Sequence, residues 1–355
     1  MAYATIRDVA EQAGVSVSTV SRALNDSGRI SARTRERINQ VIEDLHYVPD
    51  SRARSMHSPN SRTIGLLIPD IRNSYFADLA YLIQGELLAH GFQTLICTST
   101  QGDSLENKIQ VRNLLGQHID GAIIVPGPRS PQTLDELTRR GLPVVYVDRT
   151  NGYRGQDRES HGNGEGVPSI DSDPLPGLRQ ALNDLARHGH RRIVMVPGPL
   201  DESDTFRERQ EVFTDLVSGM DTLNDPTQGD DPTEAPTGGD TFRPEMLDQW
   251  KDLGVSAAIF GRSQDAIQAI EVCQARGIRI GRDLSMVTFD DLPVFRILTP
   301  AVATISQQIH TMGTCCVRML LDLMSDSQTD SVRLKTRYLH RASVGCPPGH
   351  TGQGP

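Results

Sequence analysis

A chain of 355 residues with a formal net charge of −9 is long enough for more than one folding unit and too acidic to coat nucleic acid over its whole surface. No run approaches the roughly 18 consecutive apolar residues of a membrane span, and the first residues do not read as a signal peptide. The five cysteines (Cys97, Cys273, Cys315, Cys316 and Cys346) have neither disulfide nor metal-ligand spacing, so a cytoplasmic protein with free thiols, no cofactor and no metal is expected. Any DNA binding must come from a local patch, and residues 1–62 hold one: nine arginines against seven acidic residues give +2 and leave −11 for the remainder.

Residues 5–45 read as three short helices, each opened by a hydroxyl cap. Thr5 precedes Ile6-Arg7-Asp8, Ser16 precedes a helix with Val17, Val20, Ala23 and Leu24 at helical spacing, and Ser31 precedes one with Ile38, Val41, Ile42 and Leu45 on one face. Gly14 breaks the first two apart and Gly28 lies in the next turn, the pattern of a helix-turn-helix. A helix that enters the major groove needs short side chains at its start and a long donor one turn on. Val17, Ser18 and Arg22 meet that need: valine against a thymine methyl, serine to a base edge, arginine to guanine O6 and N7. Thr5, Ser16, Ser31 and Thr34, at helix starts, suit phosphate oxygens, and Ser21, Asn25 and Arg29 are expected to join them.

From residue 63 the rhythm changes. Apolar runs at 64–69, 94–97, 122–125, 144–147, 193–196, 257–260 and 286–289 read as strands covered on both faces. The helices between them end at Gly91, Gly141, Gly189, Gly254 and Gly277, each suited to a left-handed C-cap. The β-α alternation predicts an α/β body with a parallel, doubly wound sheet. Residues 150–166 and 221–241, rich in Gly, Pro, Asp and Asn, read as exposed loops, and the tail after Gly345 as unstructured.

The run Thr5-Ile-Arg-Asp-Val-Ala-Glu-Gln-Ala-Gly-Val-Ser-Val-Ser-Thr-Val-Ser-Arg-Ala-Leu-Asn25, followed by Ser31-Ala-Arg-Thr-Arg and Tyr47-Val-Pro, closely resembles the lactose-repressor (LacI/GalR) family. The resemblance extends over nearly all of residues 3–345. It implies a transcriptional regulator, foremost a repressor, that binds double-stranded palindromic operator DNA as a homodimer and is switched by a small-molecule effector. A sugar is the first expectation, with a sugar phosphate or nucleobase as alternatives. It also implies a hinge helix after the Tyr-x-Pro, here Pro49 to Met56, in which Met56 stands for the family's leucine wedge in the minor groove and Ala53 permits close approach.

The body is then expected to have the two-lobed, Rossmann-like fold of type I periplasmic binding proteins, with crossings near residues 167, 305 and 334. The expected bounds are 1–48 for the head, 49–62 for the hinge and linker, 63–345 for the core and 346–355 for the tail. Within the core, the first lobe takes 63–166 plus 306–331 and the second 167–305 plus 332–345. Ligands of such sheets lie beyond the carboxyl ends of the strands, which points to Asp70 and the residues after it, Asp148-Arg149, Asp290-Asp291 and Gln307. The resemblance carries effector contact onto Tyr75, Phe76, Asp148, Arg209, Asp290 and Gln307. The family usually has Asn-Asp or Ser-Asp where this chain has Arg262-Ser263, and a small residue at Val212. The guanidinium of Arg262 is an expected effector contact that would favour an anionic ligand.

Rival readings remain weaker. Asp290-Asp291, Asp171-x-Asp173 and His188-Gly-His190 could be drawn as acid/base or metal sites, yet neighbours on a strand point to opposite faces, and no P-loop or nucleophile elbow is found. A periplasmic sugar carrier would have no use for the helix-turn-helix. A regulator working through a phosphocarrier corepressor stays open.

Overall fold

The computed structural model describes residues 4–24, 30–47, 61–98, 104–126, 137, 140–149, 167–201, 203–220 and 241–347. The chain divides into two compact units, Met1–Ser61 and Arg62–Pro355.

In the first unit, α1 (Ile6–Gln12), α2 (Val17–Leu24) and α3 (Ala32–Asp44) each begin at the predicted cap. Thr5 and Asp8 form a reciprocal capping box: the Asp8 carboxylate accepts from the Thr5 backbone N–H at 2.7 Å while the Thr5 hydroxyl accepts from the Asp8 N–H. The Ser16 hydroxyl accepts from Thr19 N at 3.2 Å and that of Ser31 from Thr34 N at 3.1 Å. Gly14, at φ 62°, makes the left-handed turn from α1 to α2 that a side chain would strain. Val9, Ala10, Ala13, Val20, Ala23, Ile38 and Val41 form a core of their own, enough to set three short helices against one another.

The second unit contains two sheets. The first runs β10-β5-β4-β3-β1-β2 and the second β11-β9-β8-β7-β6. The strands are β1 (Thr63–Ile68), β2 (Gln93–Thr98), β3 (Gly121–Ile124), β4 (Val144–Val147), β5 (Ser169–Asp173), β6 (Ile193–Val196), β7 (Ala257–Phe260), β8 (Ser285–Phe289), β9 (Ala303–Ser306), β10 (Val332–Lys335) and β11 (Arg337–Leu339). All pair in parallel except β11, which runs antiparallel to β9. Helices cover them: α4 (Ser74–Ala89), α5 (Ser104–Gly116) and α11 (Ile309–Met324) go with the first lobe, and α6 (Leu175–Arg187), α7 (Asp204–Ser218), α8 (Met246–Asp252), α9 (Ser263–Ala275) and α10 (Pro293–Ile297) with the second. β3, β4, β6, β7 and β8 are buried along their whole length, as apolar runs covered on both faces require. The five glycines expected to close helices all have positive φ, between 67° and 92°.

The seven predicted strands form within one residue of their expected ends, whereas β5, β9, β10 and β11 follow no strong apolar run. Their place in the sheets corrects the lobe bounds. β5 and β10 hydrogen-bond in the first sheet, so the chain leaves that sheet after Asp173 and Lys335 rather than before residues 167 and 332. The reason is local: β5 carries only one large apolar residue, and its backbone and hydroxyls are satisfied at the crossings by Ser331 and by the Gln307 carbonyl. The crossings converge on Gly177, where a Cβ would lie 2.5 Å from Ile305 Cγ2 and 2.7 Å from Thr336 Oγ1, so only glycine lets α6 start there.

Candidate functional site

β4 and β8 occupy matching places in the two sheets, and each is followed by an aspartate in the left-handed conformation, Asp148 at φ 68° and Asp290 at φ 69°. Non-glycine residues pay for that geometry, aspartate less than most, and such strain clusters at ligand sites. Both carboxylates are buried and each has a close neutral donor: Tyr75 donates its hydroxyl to Asp148 Oδ1 at 2.5 Å, and Gln307 donates its amide to Asp290 Oδ1 at 2.5 Å. Arg209, buried on α7, donates to the Gly261 carbonyl and stacks 4.0 Å from the centroid of Phe289. Residues from both lobes therefore meet in one polar cluster.

Burial pushes the Asp290 carboxyl up to about 6; Arg209 and Gln307 oppose the rise, and the Asp148 charge adds to it. Burial also pushes the Tyr75 phenol well above its ordinary range, with Asp148 and Asp290 reinforcing it. Around the cluster, Phe76 packs edge-on against Tyr75 at 5.2 Å, and the Arg149 guanidinium lies 5.6 Å from the Phe76 ring and 5.8 Å from that of Phe206. Asp148 lies 3.7 Å from Arg149. The Gln307 side-chain amide oxygen, Oε1, is buried without a partner among the described residues, an acceptor left open inside the cluster.

Tyr75, Phe76, Asp148, Arg209, Asp290 and Gln307 are thus brought together, while two expected contacts are held elsewhere. Asp70 is taken up by the exposed Arg72, which forks onto both its oxygens at 2.8 to 3.2 Å. Arg262 is paired with Asp265 one helical turn on. Asp291 faces away from Asp290 and is bound by Arg296, Arg341 and Thr304, as opposite strand faces require. Asp173 accepts from Leu175 N, and His188 closes α6 as its C-cap.

In the head, Val17, Ser18 and Arg22 are exposed on α2, and the hydroxyls of Ser16, Ser18 and Thr19 are linked at 2.8 Å. Thr5 and Ser31 are exposed at their helix starts, with Ser21 and Thr34 half-buried. Asn25, Arg29, Ala53 and Met56 lie outside the described residues.

Residues 5–50 match the sequence profile of the bacterial regulatory proteins of the lacI family, and residues 182–344 that of a periplasmic binding protein-like domain. The HTH-type transcriptional regulator CelR of Thermobifida fusca is 31% identical over 344 residues, covering 93% of this chain and 94% of its own. The chain belongs to the LacI family. Among solved structures, the lac repressor dimer bound to operator and an anti-inducer superposes with a TM-score of 0.78 at 23% identity, over 97% of this chain and all of that one. A CelR–cellobiose complex does so with 0.65 at 28% identity, over 96% and 99%.

As a LacI-family member, the chain is a DNA-binding transcriptional regulator with a helix-turn-helix head and a two-lobed core. With Arg262-Ser263 where the family usually has Asn-Asp or Ser-Asp, α9 has Arg262 as its N-cap and no side-chain cap. Sequence reasoning missed Phe206 and Phe289, whose rings seat Arg209. Phe206 could have been found, because it lies three residues before Arg209 on the same helix face. Phe289 sits inside an apolar strand and carries no signal of its own.

Proposed function

We propose that this LacI-family chain represses transcription from the cytoplasm as a homodimer, each head laying α2 along the major groove of one half of a palindromic operator. Val17, Ser18 and Arg22 read bases, and Thr5, Ser16, Ser21, Asn25, Arg29, Ser31 and Thr34 hold phosphates. The hinge and linker, 49–62, would carry Ala53 and Met56 to the minor groove. The core from residue 63 to 345 binds the effector, a saccharide, among Tyr75, Phe76, Asp148, Arg209, Asp290 and Gln307. Effector binding changes how the two lobes sit and so the spacing of the two heads.

The observation that carries the effector reading is the matched pair of left-handed aspartates, each backed by a neutral donor, facing one arginine and an open amide oxygen. Carboxylates, an arginine and an aromatic ring within one buried cluster are what vicinal hydroxyls need for paired hydrogen bonds. The cellobiose held by the CelR structure supports a saccharide over a nucleobase. A thermal-shift screen of the whole chain against sugars and nucleobases tests the reading. A saccharide should raise the melting temperature of the wild type and not of Asp290→Asn, and light scattering should give a dimer. Stabilisation by nucleobases alone would overturn the saccharide assignment.

A further inference from the structure

We propose that the cleft selects an uncharged polyhydroxyl ligand over its phosphate ester, and that Asp265 is the specificity-determining residue because it holds the Arg262 guanidinium. The inference rests on the effector reading above and narrows it. Arg262 lies two residues past the end of β7, in the same kind of strand-end turn that carries Asp148 directly after β4 and Asp290 directly after β8, and the carbonyl just before it, that of Gly261, is the one Arg209 grips. A free guanidinium in that position would be a phosphate-binding group.

It is not free. Asp265 Oδ2 accepts from Arg262 Nε at 2.8 Å and Oδ1 from Nη2 at 3.0 Å, a two-point fork that uses both carboxylate oxygens. Asp265 is 1% exposed and also accepts from Phe242 N at 3.2 Å, so it is anchored independently of the arginine. Drawing Arg262 onto a ligand phosphate would strand a buried carboxylate, a larger loss than the pair gained in forming. Arg149 is likewise engaged with Asp148 and two rings, and Arg209 with the Gly261 carbonyl and Phe289.

What the cleft offers instead is acceptors: two carboxylates and the unpartnered Gln307 oxygen. A sugar hydroxyl both donates and accepts, and matches them. A phosphate monoester, with a charge of about −1.5 to −2 at pH 7, brings accepting oxygens beside two aspartates.

Calorimetric titration of the full chain with glucose, ribose and cellobiose, and with a phosphate monoester of each, tests this. A neutral sugar should bind, and its ester should bind at least about tenfold more weakly. Asp265→Asn keeps the shape and the Oδ1 acceptor for Phe242 N while removing the negative charge and the bond to Arg262 Nε, which loosens the guanidinium, and should narrow that ratio by about tenfold. Adding Arg262→Gln to it should remove the gain. An ester that binds the wild type as well as its parent sugar overturns the proposal, a result read without any variant. So does a folded Asp265→Asn protein, shown by its melting transition, with the wild-type ratio. If neither sugars nor esters bind, the saccharide reading itself falls.

Discussion

Arg22 is the residue on which base reading turns. It is exposed on the last turn of α2, whose Val20 and Ala23 are locked into the core of the head, so its stem leaves a fixed platform. Arg22→Ala should weaken binding to the preferred duplex by about 1–3 kcal/mol and relax preference at one base pair, read by competition among single-base variants. Asp290 makes a second prediction. Its carboxyl titrates near 6 in the fold against 3.8 ordinarily, so the folded state holds the proton more tightly than the unfolded chain does. Its contribution to stability is therefore present at low pH and lost as pH rises from about 4 to about 6, on the order of 3 kcal/mol at most, and Asp290→Asn should flatten that slope in denaturant titrations. Hydroxyls that donate to the ionised form would displace the proton, so effector affinity should climb with pH up to about 6 and level off above it. The aspartates, Tyr75 and Gln307 could be named from sequence because they follow strands or carry a family motif. Asp265 could not, since nothing local says that its partner will be Arg262 and not solvent.

Among elements, the helices of the head were legible because caps are local: Thr5, Ser16 and Ser31 each bond a backbone N–H within three residues. Thr5→Ala, which removes the hydroxyl half of the capping box on a seven-residue helix, should cost the head about 0.5–2 kcal/mol, measured as a lowered melting temperature of the head transition. The strands with continuous apolar runs were equally legible. β5 and β10 were not, because Ser-Ile-Asp-Ser-Asp and Val-Arg-Leu-Lys become strands through pairing with each other, residue 170 beside 332 and 173 beside 335, over 160 positions apart in the chain. That pairing also sets an ion pair between lobes: Arg333 on β10 reaches Glu208, the neighbour of Arg209 on α7, and lies 3.8 Å from Asp173. Arg333→Gln removes this inter-lobe bond and should weaken effector affinity with little change in melting temperature, since half-exposed pairs contribute about 0–1 kcal/mol to stability.

At the scale of the whole molecule, the fold class followed from the β-α order and the family signature, while the lobe bounds did not, since three crossings of polar sequence decide which sheet each strand joins. A head that reads duplex and a cleft that reads a small molecule lie on one chain, and linkage makes any coupling between them reciprocal: an effector that weakens operator binding about tenfold must itself bind the DNA-bound protein about tenfold more weakly. The most direct test is fluorescence anisotropy of the full chain at fixed salt on a duplex selected from random sequence and on an unrelated duplex of equal length. The account predicts a preference of at least about 10³ for the selected duplex, with a salt-dependent background on the other. Equal affinity for the two duplexes would contradict it.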